Sequence, residues 1–457
     1  MSVADYSELQ AQLGPEEGIT AAASRELYAG DKWFAARTPD FVAAPKSPER
    51  VAAVLQWAHQ KGVPVTPRGA GYGYVGGCVP SQGGLVLSLE HLNQLHSVSA
   101  ADFVAVVGPA VLTKDFQDAA EAQGLFYPPD PASRESCSIG GNIATNAGGP
   151  RCLKYGVTRD YVLGLQVALA DGSLVRLGSR THKNKTGFDL SRFFVGSEGM
   201  LGVVTEATLK LLPLPQYRCG LSVGFTSMAD AAEGIRQVFA NGFLPAALEV
   251  ADAFTLAAAE KRTGNPLFKG CHAHLIMELD GREASVRSEI AELRAVLETL
   301  QPLFVRDAIG PEACEDLWRL RREFSYSLRD TGLRKLNEDI VVPRGSLEAL
   351  FEFTAGLQER CGFPVACFGH AGDGNIHVNV MIDDNDPAQV ERSDEVLDEL
   401  FQWVLAQGGV VTGEHGIGLA KKRWWPNAAS EGVQDLHLRV KRALDPKGIL
   451  NPGKFLD

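Results

Sequence analysis

The run Gly369-His370-Ala371-Gly372-Asp373-Gly374-Asn375-Ile376-His377-Val378-Asn379 sets two imidazoles around a Gly/Asp/Asn-rich bend, and Glu414-His415 adds a carboxylate and a third imidazole. Two histidines and a glutamate form a donor set for a divalent ion that leaves coordination positions open for substrate or water. Zinc suits such a set first, and manganese or ferrous iron also fit. An imidazole beside the ligands titrates near neutral pH and can serve as a base. The competing interpretation is separate, hydrogen-bonded histidines. Three of the 10 histidines falling beside glycines and carboxylates weigh against it.

These side chains need a scaffold. Apolar stretches over 365–369 and 376–382, separated by turn residues, read as a β-hairpin in which His370 and His377 face each other across the turn. Alternation then puts His377, Asn379 and Met381 on one face and Val378, Val380 and Ile382 on the other. An apolar strand over 408–413, entering a glycine-rich bend, is expected to deliver Glu414.

A second set of residues points to a long, anionic ligand. Pro67-Arg68-Gly69-Ala70-Gly71-Tyr72-Gly73-Tyr74-Val75-Gly76-Gly77 contains G-x-G-x-x-G in Gly71, Gly73 and Gly76, but that fingerprint should open a helix and here the chain runs on into a strand over 85–89. A wrap-around loop whose backbone N–H groups hold a pyrophosphate is the better account, with a purely structural turn as its alternative. Pro131 and Ser133 precede a run of small residues, 137–149, that would let backbone lie flat along a ligand, and a third glycine-rich stretch follows at 196–202. Three such segments in one domain suit a dinucleotide.

The 457 residues allow two or three domains, and 45% hydrophobic with 22% charged residues is an ordinary globular composition. A formal charge of −12 opposes a nucleic-acid surface. No run reaches the ~18 apolar residues of a membrane span, while peripheral attachment stays open. Met1-Ser2-Val3-Ala4-Asp5-Tyr6 resembles neither a secretory signal nor a transit peptide, so a cytoplasmic location is expected. Eight cysteines without a Cys-x-x-Cys read as reduced thiols, with neither a disulfide framework nor an iron–sulfur cluster.

Along the chain, a helical preface over about 3–36 leads to a short strand at 41–45, and Ser47 with Pro48 starts a helix that stops at Gly62. Strands over 162–169 and 173–177 flank an Asp171-Gly172 turn. Leu211-Leu212-Pro213-Leu214-Pro215 reads as a linker, after which strands alternate with helices over 228–241, 283–300 and 386–408. This is a second α+β domain, and it carries the histidine motif.

Taken together, these segments resemble the FAD-linked oxidases of the vanillyl-alcohol-oxidase type, and within them the D-2-hydroxy-acid dehydrogenases: D-lactate dehydrogenase, the glycolate oxidase flavin subunit and D-2-hydroxyglutarate dehydrogenase. The resemblance runs from about residue 40 to the end. It implies an α+β fold, with an FAD-binding domain of two α+β subdomains and an antiparallel-sheet α+β cap that binds substrate. The corresponding bounds are a preface at 1–40, the FAD-binding domain at 41–215, the cap with its metal at 216–430, and a return to the first domain at 431–457.

Residue by residue, the resemblance assigns Pro67, Arg68, Gly69, Ala70, Gly71, Tyr72, Gly73, Gly76 and Gly77 to the FAD pyrophosphate. Pro131, Ser133, Ser138, Gly141, Asn142, Thr145, Gly148, Glu198, Gly199 and Val204 would line the rest of the cofactor, and Asn451 would sit near the flavin ring. His370, His377 and Glu414 match the metal ligands, Asn379 lies beside the substrate, and His415 matches the base. In 317–322, Arg321 matches the arginine that grips the substrate carboxylate, with Arg322 close behind. The implied reaction is metal-assisted oxidation of a D-2-hydroxy acid of the D-lactate or glycolate type to the 2-oxo acid, with hydride passing to flavin N5. Electrons would leave to a quinone, a cytochrome or an electron-transfer flavoprotein, from a homodimer or a subunit of a complex.

Two departures qualify this. Tyr72 stands where the first loop commonly has threonine, and the loop has no histidine, so FAD is expected to bind non-covalently. The segment 335–343 resembles the lactate and glycolate type, and no lysine for a second carboxylate is clearly in register, which ranks D-2-hydroxyglutarate second. The rivals are a flavin electron-transfer subunit without its own turnover and a flavin-free metal-dependent hydrolase.

Overall fold

A computed structural model describes residues 5–14 and 16–456, and the chain divides into two compact units. The first comprises Met1–Gly148, Val157–Leu214 and Glu414–Asp457; the second comprises Gly149–Gly156 and Pro215–Gly413. The division after Gly413 falls earlier than the 430 expected from the sequence, and the short stretch Gly149–Gly156 counts with the second unit.

In the first unit, Ser47 Oγ caps the helix Pro48–Lys61 by accepting from the Arg50 N–H, and Gly62 ends it at φ +67°. The helix buries Val51, Val54, Leu55 and Trp57 against the strands Phe41–Ala43, Leu85–Ser88 and Val65–Arg68. These strands run parallel, joined at one edge by the antiparallel Gly18–Ile19. Between Val65–Arg68 and Leu85–Ser88 lies loop, not helix, as expected from the strand that follows the glycines. A second, antiparallel sheet runs in the order Leu95–Ser99, Val104–Val107, Val203–Lys210, Val162–Ala168, Leu174–Gly178.

The run 137–149 departs from expectation. It is a helix, Ile139–Thr145, because Ser138 Oγ accepts from the Gly141 N–H and nucleates the turn instead of leaving the backbone extended. Gly140 lets this helix lie against Pro109, where a Cβ would come within 2.6 Å.

The second unit is built on a seven-stranded antiparallel sheet in the order Phe304–Ile309, Tyr217–Phe225, Ala273–Gly281, Ala247–Asp252, Val365–His370, Asn375–Ile382, Arg334–Val341. Helices Ala253–Thr263 and Pro311–Arg329 pack together on one face, where Phe324, Phe368, Ala366 and Met381 form a core. Glu283–Glu298, Met228–Ala240, Leu347–Cys361 and Pro387–Ala406 pack side by side in that order on the other. The stretch 408–413 is not a strand. An isolated bridge, Val410 to Val341, ties it to the sheet before Thr412 and Gly413 turn toward Asp339, whose backbone oxygen also accepts from the Gly413 N–H at 2.8 Å.

All eight cysteines are free thiols. Among the described residues, no helix is long and apolar enough to cross a membrane.

Candidate metal centre and flavin-facing segments

The hairpin strands Val365–His370 and Asn375–Ile382 pair with Phe368 opposite His377 and His370 opposite Asn375. The histidines are therefore diagonal neighbours, not directly opposed as the turn suggests, and their rings meet edge to face at 5.5 Å. Both are buried, at 6% and 8% exposure. Asp339 lies opposite His377 on the next strand. Its carboxylate accepts from Thr412 Oγ1 (3.1 Å) and from the Gly413 N–H (3.0 Å). Glu414 is the next residue along, so this anchored bend sets where its carboxylate starts. Gly413 must be glycine here, since a Cβ would meet the Asn375 amide at 2.3 Å. One donor atom from each of His370, His377 and Glu414 lies within 4.8 Å of the other two.

A carboxylate that sequence reasoning missed lies beside the cluster. Glu249, 1% exposed, sits beside His370 on the neighbouring strand and accepts from its Nδ1 at 2.6 Å. Arg321 donates to the same carboxylate through Nε and Nη2, both at 2.7 Å. Burial alone would raise the Glu249 carboxyl, but His370 and Arg321 outweigh it and hold it far below the usual carboxylate range. Arg321, expected to grip substrate, thus spends two donors inside the protein. Arg322 points away into an exposed ion pair with Glu315 at 2.6 Å. Asn379, fully buried, donates from its Nδ2 to the backbone oxygens of Ala366 and His377, and its Oδ1 has no partner.

The helix Pro311–Arg329 reaches across the sheet with one face: Trp318 donates to Glu278, Arg321 to Glu249, and Ser325 Oγ accepts from Lys335 Nζ at 3.1 Å. The spacing of 3 and 4 residues aligns these side chains. Lys335 pairs with no carboxylate among the described residues. Burial, and then the nearby Arg329 and Arg321, push its ammonium down to about 8. A buried ammonium group, not evident in the sequence register, therefore stands on the strand next to the hairpin.

In the first unit, the glycine-rich segments meet. The Ala70 N–H donates to Ser138 Oγ at 3.2 Å, and a Cβ on Gly69 would strike that oxygen at 2.6 Å. Gly199 packs against the Pro67 ring, and Asn451 Nδ2 donates to the backbone oxygens of Gly77 and Glu198. Gly71, at φ +67°, takes a turn other residues resist. Glu198 has a second task, accepting from the Ile417 and Gly418 N–H groups (2.8 and 2.9 Å) just after His415, whose ring lies 5.3 Å from that of Tyr74. Asn142 Nδ2 donates to Thr113 Oγ1, and Thr145 Oγ1 to the Gly141 oxygen, so these two side chains hold the helix in place.

Two family models match the chain: the FAD binding domain over residues 39–178, and the C-terminal domain of FAD linked oxidases over 214–455. The chain belongs to the FAD-linked oxidases. The glycolate oxidase subunit GlcD of Bacillus subtilis (strain 168) is 36% identical to this oxidase over 457 residues, covering 100% of this chain and 97% of the relative. A D-lactate dehydrogenase of Anaerostipes hadrus is 33% identical, covering 97% and 95%, and a D-2-hydroxyglutarate dehydrogenase of Xanthomonas citri pv. viticola is 36% identical, covering 96% and 94%. Among solved structures, p-cresol methylhydroxylase with substrate bound shares the fold at a TM-score of 0.79 and 18% identity, over 98% of this chain and 95% of the other. This FAD-linked oxidase is thus a flavin-dependent oxidoreductase, with its Gly-rich loop and the histidine hairpin falling in separate family domains.

Proposed function

We propose that this oxidase converts a D-2-hydroxy acid to the 2-oxo acid, with a divalent ion at His370, His377 and Glu414. The observation that carries the reading is the convergence of those three donors in a chain whose relatives are named for glycolate, D-lactate and D-2-hydroxyglutarate. The donor set fits zinc, with manganese or ferrous iron as alternatives. Such an ion would supply Lewis acidity toward the carboxylate and hydroxyl oxygens of the substrate. Bound FAD supplies the two-electron acceptor.

The chain's own residues do the rest. His415 takes the hydroxyl proton at a ring nitrogen. The bare Oδ1 of Asn379 offers an acceptor from a buried side chain. The loop from Pro67 to Gly77 would hold the FAD pyrophosphate through backbone N–H groups other than that of Ala70, which Ser138 Oγ takes up together with the Gly141 N–H. Electrons then pass to a quinone, a cytochrome or an electron-transfer flavoprotein. Relatives named as subunits favour an assembly that includes such a partner.

A second reading rests on Lys335. It stands four residues along its strand from Asp339, which is opposite His377. That is roughly 13 Å at the usual rise per residue, a span that a lysine side chain and a five-carbon acid cover together. A dicarboxylic 2-hydroxy acid would satisfy this ammonium; D-lactate and glycolate would not reach it.

Anaerobic bleaching of the flavin by a panel of D- and L-2-hydroxy acids tests both readings without naming the acceptor. Bleaching by D-lactate or glycolate supports the first, and preferential bleaching by D-2-hydroxyglutarate the second. A colourless preparation that hydrolyses esters or amides would defeat both. In the same assay His415→Ala is expected to keep FAD and metal while slowing bleaching at least 100-fold. Unchanged bleaching would remove His415 as the base.

A further inference from the structure

We propose that Glu249 is a positioning residue for the donor cluster, fixing which nitrogen of His370 faces a metal ion, with Arg321 as the brace that holds Glu249 in place. This rests on the reading of His370, His377 and Glu414 as metal ligands. The three groups are each less than 10% exposed and sit on one face of the second unit's sheet and the helix that covers it.

An ionised carboxylate only accepts, so the His370 nitrogen 2.6 Å from Glu249 Oε1 must carry the proton. That makes Nδ1 the N–H, so that once the ring is neutral Nε2 is the lone-pair nitrogen, the tautomer a metal needs. Glu249 in turn cannot swing away. Its Oε2 holds two donors of Arg321, and leaving either charge alone in a buried site is costly. The Arg321 guanidinium also lies over the Phe368 ring at 4.8 Å, and Phe368 packs against the His377 ring at 5.4 Å. One arginine therefore steadies the partner of one histidine and the packing neighbour of the other. A purely structural ion pair between Glu249 and Arg321 would have no need to spend Oε1 on the ring.

The test is zinc affinity of the purified, flavin-containing protein, measured by competition with a chromophoric chelator and read beside flavin content and Tm. Wild type is expected to bind one zinc and His377→Ala none. Glu249→Gln, whose amide oxygen still accepts from Nδ1, is expected to lose less affinity than Glu249→Leu, which is expected to fall in the 10–100-fold range typical of a lost carboxylate partner. The graded order, with flavin retained, marks a hydrogen bond to the ring and not a general loss of fold. Because the single changes strand Arg321, the double variant Glu249→Leu/Arg321→Met removes both charges; it should keep flavin and Tm yet bind zinc as weakly as Glu249→Leu. Zinc affinity of the double variant within twofold of wild type would overturn the proposal while leaving the metal reading intact. A wild-type protein that takes up neither zinc, manganese nor ferrous ion would overturn the metal reading itself, and the proposal with it.

Discussion

Lys335 keeps its charge against two costs, burial and the neighbouring guanidinium groups of Arg329 and Arg321, and both push its ammonium down to about 8. A dicarboxylate would bind the protonated form and draw its pKa back up. The expected signature is a KM for D-2-hydroxyglutarate that climbs as pH rises through 8, by up to tenfold per unit, with no such limb for D-lactate. Lys335→Met should raise that KM at least tenfold at pH 7 and leave D-lactate turnover unchanged; equal effects on both acids would remove the subsite. The histidines were legible in the sequence because glycines and an Asp/Asn turn frame them. Glu249, Asp339 and Lys335 were harder to see, since strand residues declare a face but not what stands opposite. A signal did exist at Glu249: it is the one charge in the apolar run Ala247-Leu248-Glu249-Val250-Ala251, the pattern a buried carboxylate leaves. Arg321 was expected to grip substrate, and the carboxylate it holds inside the protein could not be read from sequence because Glu249 lies 72 positions away.

Elements whose ends are chemically marked were read nearly to the residue. Ser47, Pro48 and Gly62 bound the helix Pro48–Lys61, and Ser47→Ala should cost about 1 kcal/mol in urea unfolding through the lost cap. The run 137–149 misled because small residues suit both an extended strap and a short helix, and Ser138 decides between them by capping. The stretch 408–413 misled in the opposite sense: its valines suggest a strand, yet Asp339 captures Thr412 and Gly413 and ends the pairing after one bridge. The contact between Gly69 and Ser138 makes a sharp test of the flavin-side segments. Gly69→Ala forces a Cβ onto Ser138 Oγ, so purified protein should show a flavin-to-protein absorbance ratio lowered severalfold while the histidine hairpin still binds zinc. A normal ratio would mean the two loops can separate without harm.

At the scale of the molecule, linker prolines and the change in pattern after residue 215 suggest a two-part α+β organisation, and nothing in the sequence points to one short excursion between the parts. The second unit includes Gly149–Gly156, a segment embedded in sequence that otherwise belongs to the first. The reason is electrostatic. Arg151 pairs with Glu278 at 2.9 Å, while Lys154 Nζ and Tyr155 Oη both reach the carboxylate of Asp280. Glu278 is 1% exposed, and its burial is offset first by Arg151 and then by Arg218, with Trp318 donating as well. No hydrophobic periodicity announces such a pairing across more than 120 residues.

That eight-residue excursion bears on how the protein can be dissected. A gene fragment encoding 215–413 alone would synthesise every strand of the seven-stranded sheet and keep Arg218, yet omit Arg151, the stronger of the two cationic partners of Glu278, so the isolated product should be recovered destabilised. Supplying a peptide spanning 149–156, or grafting it through a flexible tether, should rescue soluble yield, and an Arg151→Met version of that peptide should not. Anyone trimming this chain for crystallography, fusion or directed evolution would do better to keep its genetic continuity than to cut at the apparent seam.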